Sequence, residues 1–327
     1  MDAGIIAQDT APIHKLTLEN LYLTYTKDRN AMLLYCSAPL EDEANDTCFT
    51  LDIIGQCYLY QVNGKPANHA IYFMGNDTNS NVEIHADNES YLECYSFGTD
   101  TVYMQNNPLA ISGKLETVIY SAEDGGDAID WETEEGNNNL TLNDDVKVGV
   151  GNTNTKNETA ITVGNLNVLD NSSLLAICNN ASTKNMGAIN VQGNFKVNTT
   201  GDVLINAYNA KSWQAVVCNN DLEITKCNSF QAYAQDYSAV EVHGKLTIGE
   251  EAIEKVYFSG GFVPTDGRAR RGAFTVKHPN RLEIPDGYLL YGNESLEAEV
   301  DNITQRAVVT FSSGTDGFDI YTPVIPD

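Results

Sequence analysis

One short phrase recurs along this chain: alanine or threonine, an apolar residue, any residue, another apolar residue. It reads Ala31-Met32-Leu33-Leu34, Ala70-Ile71-Tyr72-Phe73, Thr101-Val102-Tyr103-Met104, Ala128-Ile129-Asp130-Trp131 and Ala160-Ile161-Thr162-Val163. It continues as Ala188-Ile189-Asn190-Val191, Ala215-Val216-Val217-Cys218, Ala239-Val240-Glu241-Val242 and Ala273-Phe274-Thr275-Val276. From Thr101 to Ala239 the spacings are 27, 32, 28, 27 and 24 residues. A fixed period of this size marks a stacked repeat architecture, in which one unit cannot bury its own apolar face.

A second element belongs to every repeat: two apolar residues around a middle one that is polar in nine of ten cases. Examples are Phe49-Thr50-Leu51, Val82-Glu83-Ile84, Leu140-Thr141-Leu142, Phe195-Lys196-Val197 and Leu222-Glu223-Ile224; the first is Leu16-Thr17-Leu18 and the last Leu282-Glu283-Ile284. A third alternating stretch lies between them, as in Leu174-Leu175-Ala176-Ile177-Cys178 and Phe230-Gln231-Ala232-Tyr233-Ala234. Strict alternation means strands with one wet and one dry face. Asn, Asp, Gly and Ser fill the junctions as turn formers. No apolar stripe of helical period is present.

Three short strands per repeat predict an all-β chain wound as a single right-handed parallel β-helix of about ten coils. Right-handedness follows from strand twist and the handedness of parallel crossovers. At a rung spacing of ~4.8 Å, such a rod is on the order of 50 Å long. An antiparallel sandwich also contains many short strands, but it does not require the same spelling in every repeat. The expected organisation is a cap or tail over residues 1–14, the β-helix over 15–284, and a terminal cap or short module over 285–327, where the pattern decays after Ile284.

Charge narrows the partners. The formal net charge is −26, with only 19 Lys and Arg. Nucleic acid and anionic bilayers would be repelled, and no apolar run reaches the ~20 residues of a spanning helix. Neither nucleic acid nor membrane insertion is expected, and the rod is expected to be a monomer. Met1 to Pro12 do not spell a leader. Either the chain stays in the cell or a leader has been removed; the second reading fits an extracellular, surface-displayed rod. The seven cysteines contain no C-x-x-C pair. Cys36, Cys94, Cys178 and Cys218 fall on inward positions, so they are expected to pack as small hydrophobes.

Two sets of residues are candidates for ligand binding. Tyr60, Tyr95, Tyr120, Tyr233 and Tyr257 fall on outward positions of the middle strand, with Tyr208 near the same line and the ladder interrupted at Gly149 and Ile177. Exposed rings one coil apart match the rise of a sugar unit in an extended glycan and offer rigid contact area; the bland alternative is rings that only stack on one another. Tyr72 and Tyr103 form a smaller pair on the next face. Trp213 lies in a turn and is a further ligand candidate, whereas Trp131 takes an inward slot. The second set is acidic: Asp124, Asp127 and Asp130 cluster with glycines on a turn, a hard-oxygen set suited to calcium. Solvated surface is the alternative for acidic turns in so charged a chain. No cofactor is required by either set, and calcium is the candidate ion.

Catalysis is not indicated. The paired aspartates, Gly-His-Gly and Arg-Ile-Lys of β-helical pectin hydrolases are missing. Lyase chemistry on acidic sugars needs bases and cations aimed at a carboxylate. The basic run Arg268-Ala269-Arg270-Arg271 lies in a loop, and the histidines His14, His69, His85, His243 and His278 follow no motif. The functional expectation is a non-catalytic rod that binds polysaccharide or host glycans, or adheres. The alternatives are a structural stalk of a larger surface protein and, behind it, a polysaccharide-active enzyme.

Two strings carry a family resemblance: Gly126-Asp127-Ala128-Ile129-Asp130 with Asn139-Leu140-Thr141-Leu142, and the run from Ala239 to Ile248. They resemble repeats of large surface proteins of clostridial and other gut bacteria, and the clostridial carbohydrate-binding-domain β-helix proteins. The resemblance spans most of residues 15–284. It implies a right-handed β-helix at a cell surface, plant polysaccharide as ligand, and calcium. The repeats here are less glycine-rich than in that type.

Overall fold

In the computed structural model, the described residues are 5–8, 15–26, 33–37, 47–62, 69–74, 81–97, 99–105, 107–122, 126–131, 138–152, 158–178, 187–207, 214–234, 239–252 and 255–262, with 264–265, 268–269, 274–276, 282–283, 289–292 and 305–312 beyond them. Among these residues there is no helix, hence none long and apolar enough to cross a membrane. The strands stack in parallel as a β-solenoid with three ladders. The first is a ten-stranded sheet that begins with Ile5–Gln8 and Leu34–Ser37 and ends with Val240–Val242 and Phe274–Val276. The second runs from Lys15–Glu19 through Thr47–Ile54 to Leu246–Glu251 and Leu282–Glu283. The third runs from Tyr22–Tyr25 through Gln56–Gln61 to Ser229–Ala234 and Val256–Phe262. Two long strands, Asn81–Ser96 and Leu109–Ser121, serve both the second and third ladders by bending between them.

Alternation explains the core. Along the second ladder Phe49, Val82, Leu109, Leu140, Leu166, Phe195, Leu222 and Leu246 stand in one register file. All are buried, as is the neighbouring file through Leu51, Ile84, Ile111, Leu142, Val168, Val197, Ile224 and Ile248. Each large side chain sealed in this way contributes ~1.5–3 kcal/mol, and no rung could bury it alone. Phe195, Phe230 and Phe258 continue ring to ring at 6.1 and 5.9 Å. Six free cysteines, including Cys36, Cys94, Cys178 and Cys218, are buried in this core. Trp131 is inward as expected, its indole N–H donating to the Asn107 carbonyl at 2.9 Å.

Register departs from the repeat spelling at the start of the chain. Leu16 pairs with Leu51 instead of Phe49, and Leu34 pairs with Ile71. Both are slips of two residues. A slip of two leaves every side chain on its own face, so the hydrophobic pattern does not register it.

The corner between the second and third ladders is made by residues in the left-handed region: Asn20, Gly55, Gly113, Asp144 and Asp170. Asn, Asp and Gly tolerate this conformation best. At Gly113 a Cβ would also stand 2.1 Å from the Ala86 carbonyl oxygen. The corner entering the second ladder is held by side-chain acceptors. Asn165 Oδ1 accepts from the Asn194 N–H, Asn194 Oδ1 from the Asp221 N–H, and Asp221 Oδ1 from the Lys245 N–H, at 2.7, 3.2 and 2.8 Å. At the third ladder's far end, Gln305–Ser312 pairs antiparallel with Val256–Phe262 and with Leu289–Gly292.

Candidate functional site

The outer surface of the third ladder carries three files. Gln56, Tyr91 and Glu116 form one; Tyr22, Tyr58, Glu93 and Val118 the next; Thr24, Tyr60, Tyr95 and Tyr120 the last. Alternation sends all of these out while Leu59, Cys94 and Ile119 go in. Tyr22 is 65% exposed and meets Tyr58 at 5.9 Å and Tyr60 edge-on at 5.5 Å. Tyr58 meets Tyr60 at 6.1 Å and Tyr91 at 5.8 Å. Tyr60 stands edge-on to Tyr95, and Tyr95 lies parallel to Tyr120 at 5.4 Å with 4° between planes. Phe97 closes the group against Tyr95 at 4.8 Å.

At that separation, parallel rings are offset like roof tiles rather than stacked face over face. The last tile leans onto the next rung: the Tyr120 ring carbons lie 2.7 and 2.9 Å from where a Cβ on Gly151 would stand. Glu93 sits among the rings. Its two carboxylate oxygens accept from the Tyr60 hydroxyl at 2.6 Å and the Tyr91 hydroxyl at 2.7 Å. Burial, then the Glu93 carboxylate, hold both hydroxyls protonated well above the usual tyrosine range. The result is a contiguous aromatic surface with one fixed anion inside it.

Tyr233 shares the file of Tyr120 but is separated from it by Gly151, Ile177 and Asn206. Tyr257 pairs in register with Gln231 and so stands on the neighbouring file, its ring 5.5 Å from Tyr233. The tyrosines therefore fall into two groups, as the expected interruption implies, but on this file the gap begins with Gly151 where Gly149 was expected. Tyr208, Trp213 and Asp124 lie outside the described residues. Tyr22, Tyr58, Tyr91 and Glu93 were missed by the sequence reading. The i, i+2 spacing of Tyr58 and Tyr60, and of Tyr91, Glu93 and Tyr95, is the signal that places them on one face.

On the first ladder Tyr35, Tyr72 and Tyr103 form a smaller file at 5.4 and 5.3 Å. His69 stacks on Tyr103 at 4.5 Å and its Nδ1 bonds the Asp100 carbonyl at 2.9 Å. Burial lowers its pKa, against the pull of Asp100. Asp130 continues this file beyond Tyr103. Asp127 is buried. Its oxygens accept from the Thr159 N–H and hydroxyl at 2.6 and 2.7 Å, and its own N–H donates to Asp100 Oδ1 at 2.8 Å. Burial, then repulsion from neighbouring aspartates, raises the pKa of both Asp127 and Asp130. Among the described residues no group of three or more His, Cys, Asp or Glu is gathered to hold a metal ion.

A serine–histidine–carboxylate chain does occur on the second ladder. His85 Nδ1 lies 2.7 Å from Ser112 Oγ, His85 Nε2 lies 3.1 Å from Asp87, and Ser112 donates to Glu83 at 2.5 Å. Ser112 is 1% exposed and its proton is directed to Glu83, so its oxygen is not presented to a substrate. Further along the same face, Asn139, Asn165, Asn167, Lys196 and Glu223 line a polar groove of about 400 Å³.

The chain matches no family model, no curated protein and no solved structure. The outer surface of the described residues thus carries an aromatic platform with a fixed carboxylate and, further along, a polar groove.

Proposed function

We propose that the protein is a non-catalytic, glycan-binding rod that works at a bacterial surface, its solenoid a right-handed β-helix of about ten coils. The likeness of its repeats to those of clostridial surface proteins agrees with this reading. The observation that carries it is the contiguous set of rings Tyr22, Tyr58, Tyr60, Tyr91, Tyr95 and Tyr120 on one outer face. Patches of this kind on a polar surface mark interaction sites. Tyrosine supplies apolar area to sugar C–H groups at little entropic cost while its hydroxyl remains available to water or ligand. A rung spacing of ~4.8 Å brings successive rings to successive units of an extended chain.

The test is polysaccharide pull-down and glycan-array binding with the wild-type protein and a Tyr58→Ala/Tyr95→Ala double variant. Both side chains are half-buried on the surface and neither supports the inner core. Retention of an extended glycan by the wild type, weakened about tenfold or more in the variant, is the expected result; tenfold corresponds to the loss of ~1.4 kcal/mol. Equal retention by both would remove the tyrosines from the site. Failure of the wild type to retain any glycan would favour a stalk that carries no ligand of its own.

A further inference from the structure

The aromatic surface is not electrically neutral, and that selects among glycans. Glu93 stands between Tyr91 and Tyr95 on its own strand and beside Tyr58 on the preceding rung. The Tyr60 and Tyr91 hydroxyls clamp it in place. Two hydroxyl donors leave lone pairs on a carboxylate that can take up to about four hydrogen bonds. Glu116 lies on the adjoining file, in register with Tyr91 on one side and Lys147 on the other. The chain as a whole has 45 acids against 19 bases. An anionic sugar chain would meet this field as repulsion. A cation would meet a fixed carboxylate set among tyrosine rings, whose π-electrons add to the attraction.

We propose, building on the glycan reading above, that this face recognises a β-linked polymer of amino sugars bearing free ammonium groups. One ammonium docks at Glu93, inside the rings of Tyr58, Tyr60, Tyr91 and Tyr95, and neighbouring sugars lie along the Tyr95–Tyr120 tiles. A polymer is favoured over a lone ammonium compound because the rings extend over four successive rungs of the ladder. A single quaternary ammonium group would engage only the rings at Glu93.

Binding of three probes to the full chain separates the outcomes: a glucosamine hexamer, an N-acetylglucosamine hexamer and cellohexaose, each by calorimetry in mildly acidic, low-salt buffer where the free amine is protonated. The expected result is that the glucosamine hexamer binds about tenfold tighter than the other two. Its affinity alone falls with added salt and by about tenfold in Glu93→Gln, whose Oε1 still accepts from one tyrosine hydroxyl while the other turns to accept from Nε2. Equal affinity for all three, or an unchanged glucosamine affinity in Glu93→Gln, would overturn the ammonium preference and leave the glycan reading standing. No binding of any probe to the wild type would overturn this inference, and the array above then decides whether a different glycan is bound. Tetramethylammonium competing as well as the hexamer at equal amine concentration would overturn the polymer. Should Glu93→Gln fail to fold, the salt dependence of the three wild-type affinities decides: the same slope for all three refutes a docked ammonium.

Discussion

Replacing Asp127 with asparagine tests the electrostatics of the acidic corner. The side chain is 5% exposed, and Asp100 and Asp130 repel its charge. Its pKa rises from 3.8 to about 7, with burial the larger cause. The folded protein therefore holds a proton that the unfolded chain releases. The associated stability is complete below the unfolded value and is lost as pH climbs through the folded one. Between about pH 4 and about pH 8 this amounts to ~4 kcal/mol as an upper bound. Asparagine stays neutral throughout, its Oδ1 still accepts from the Thr159 N–H, and the Thr159 hydroxyl can rotate to accept from Nδ2. Urea unfolding followed by far-UV circular dichroism across that pH range is the assay. The variant should match the wild type near pH 4 and exceed it by about 2–4 kcal/mol near pH 8. General repulsion among the remaining carboxylates acts on both proteins, so the difference between the curves reports Asp127 together with the relief its loss gives Asp130. Parallel curves, or a variant weaker than wild type near pH 8, would refute the argument. The charge-assisted bonds to Thr159 would then outweigh desolvation.

Two further outcomes follow from the packing. Gly113→Ala forces a Cβ to 2.1 Å from the Ala86 carbonyl at a φ of +80° and should cost more than ~1 kcal/mol, read from the urea midpoint; an unchanged midpoint would mean the corner relaxes freely. The buried cysteines should resist alkylation in native buffer and react in urea, because burial pushes Cys36 and Cys218 up to about 12 and Cys227 to about 11; prompt labelling of Cys218 in the native protein, read by mass spectrometry, would contradict this.

What the sequence revealed and what it hid divide along physical lines. Alternation and turn chemistry are local, so the inward files, the burial of Cys94 and Trp131 and the parallel stacking were readable. The two-residue slips at Leu16 and Leu34 were not, because an even slip changes no side chain's face. The acidic turn offered a local set of carboxylates, with calcium as the candidate ion. The partners Asp127 has in the fold, Asp100 and Thr159, arrive from neighbouring rungs 27 and 32 residues away. The Glu93 clamp is similar: Tyr60 lies 33 residues before it, and only the register makes them adjacent.

The acceptors at the corner entering the second ladder all point one way. Asn165, Asn194 and Asp221 each receive an N–H from the rung that follows in the chain. A nascent polypeptide leaving the ribosome amino end first would thus find a docking group already waiting for each newly made turn. Winding begun from the opposite end would find every such group still missing. At the corner between the second and third ladders the order is reversed, Asp144 receiving the Gly113 N–H and Asp170 the Asp144 N–H, so only the corner entering the second ladder is laid down in the order of synthesis.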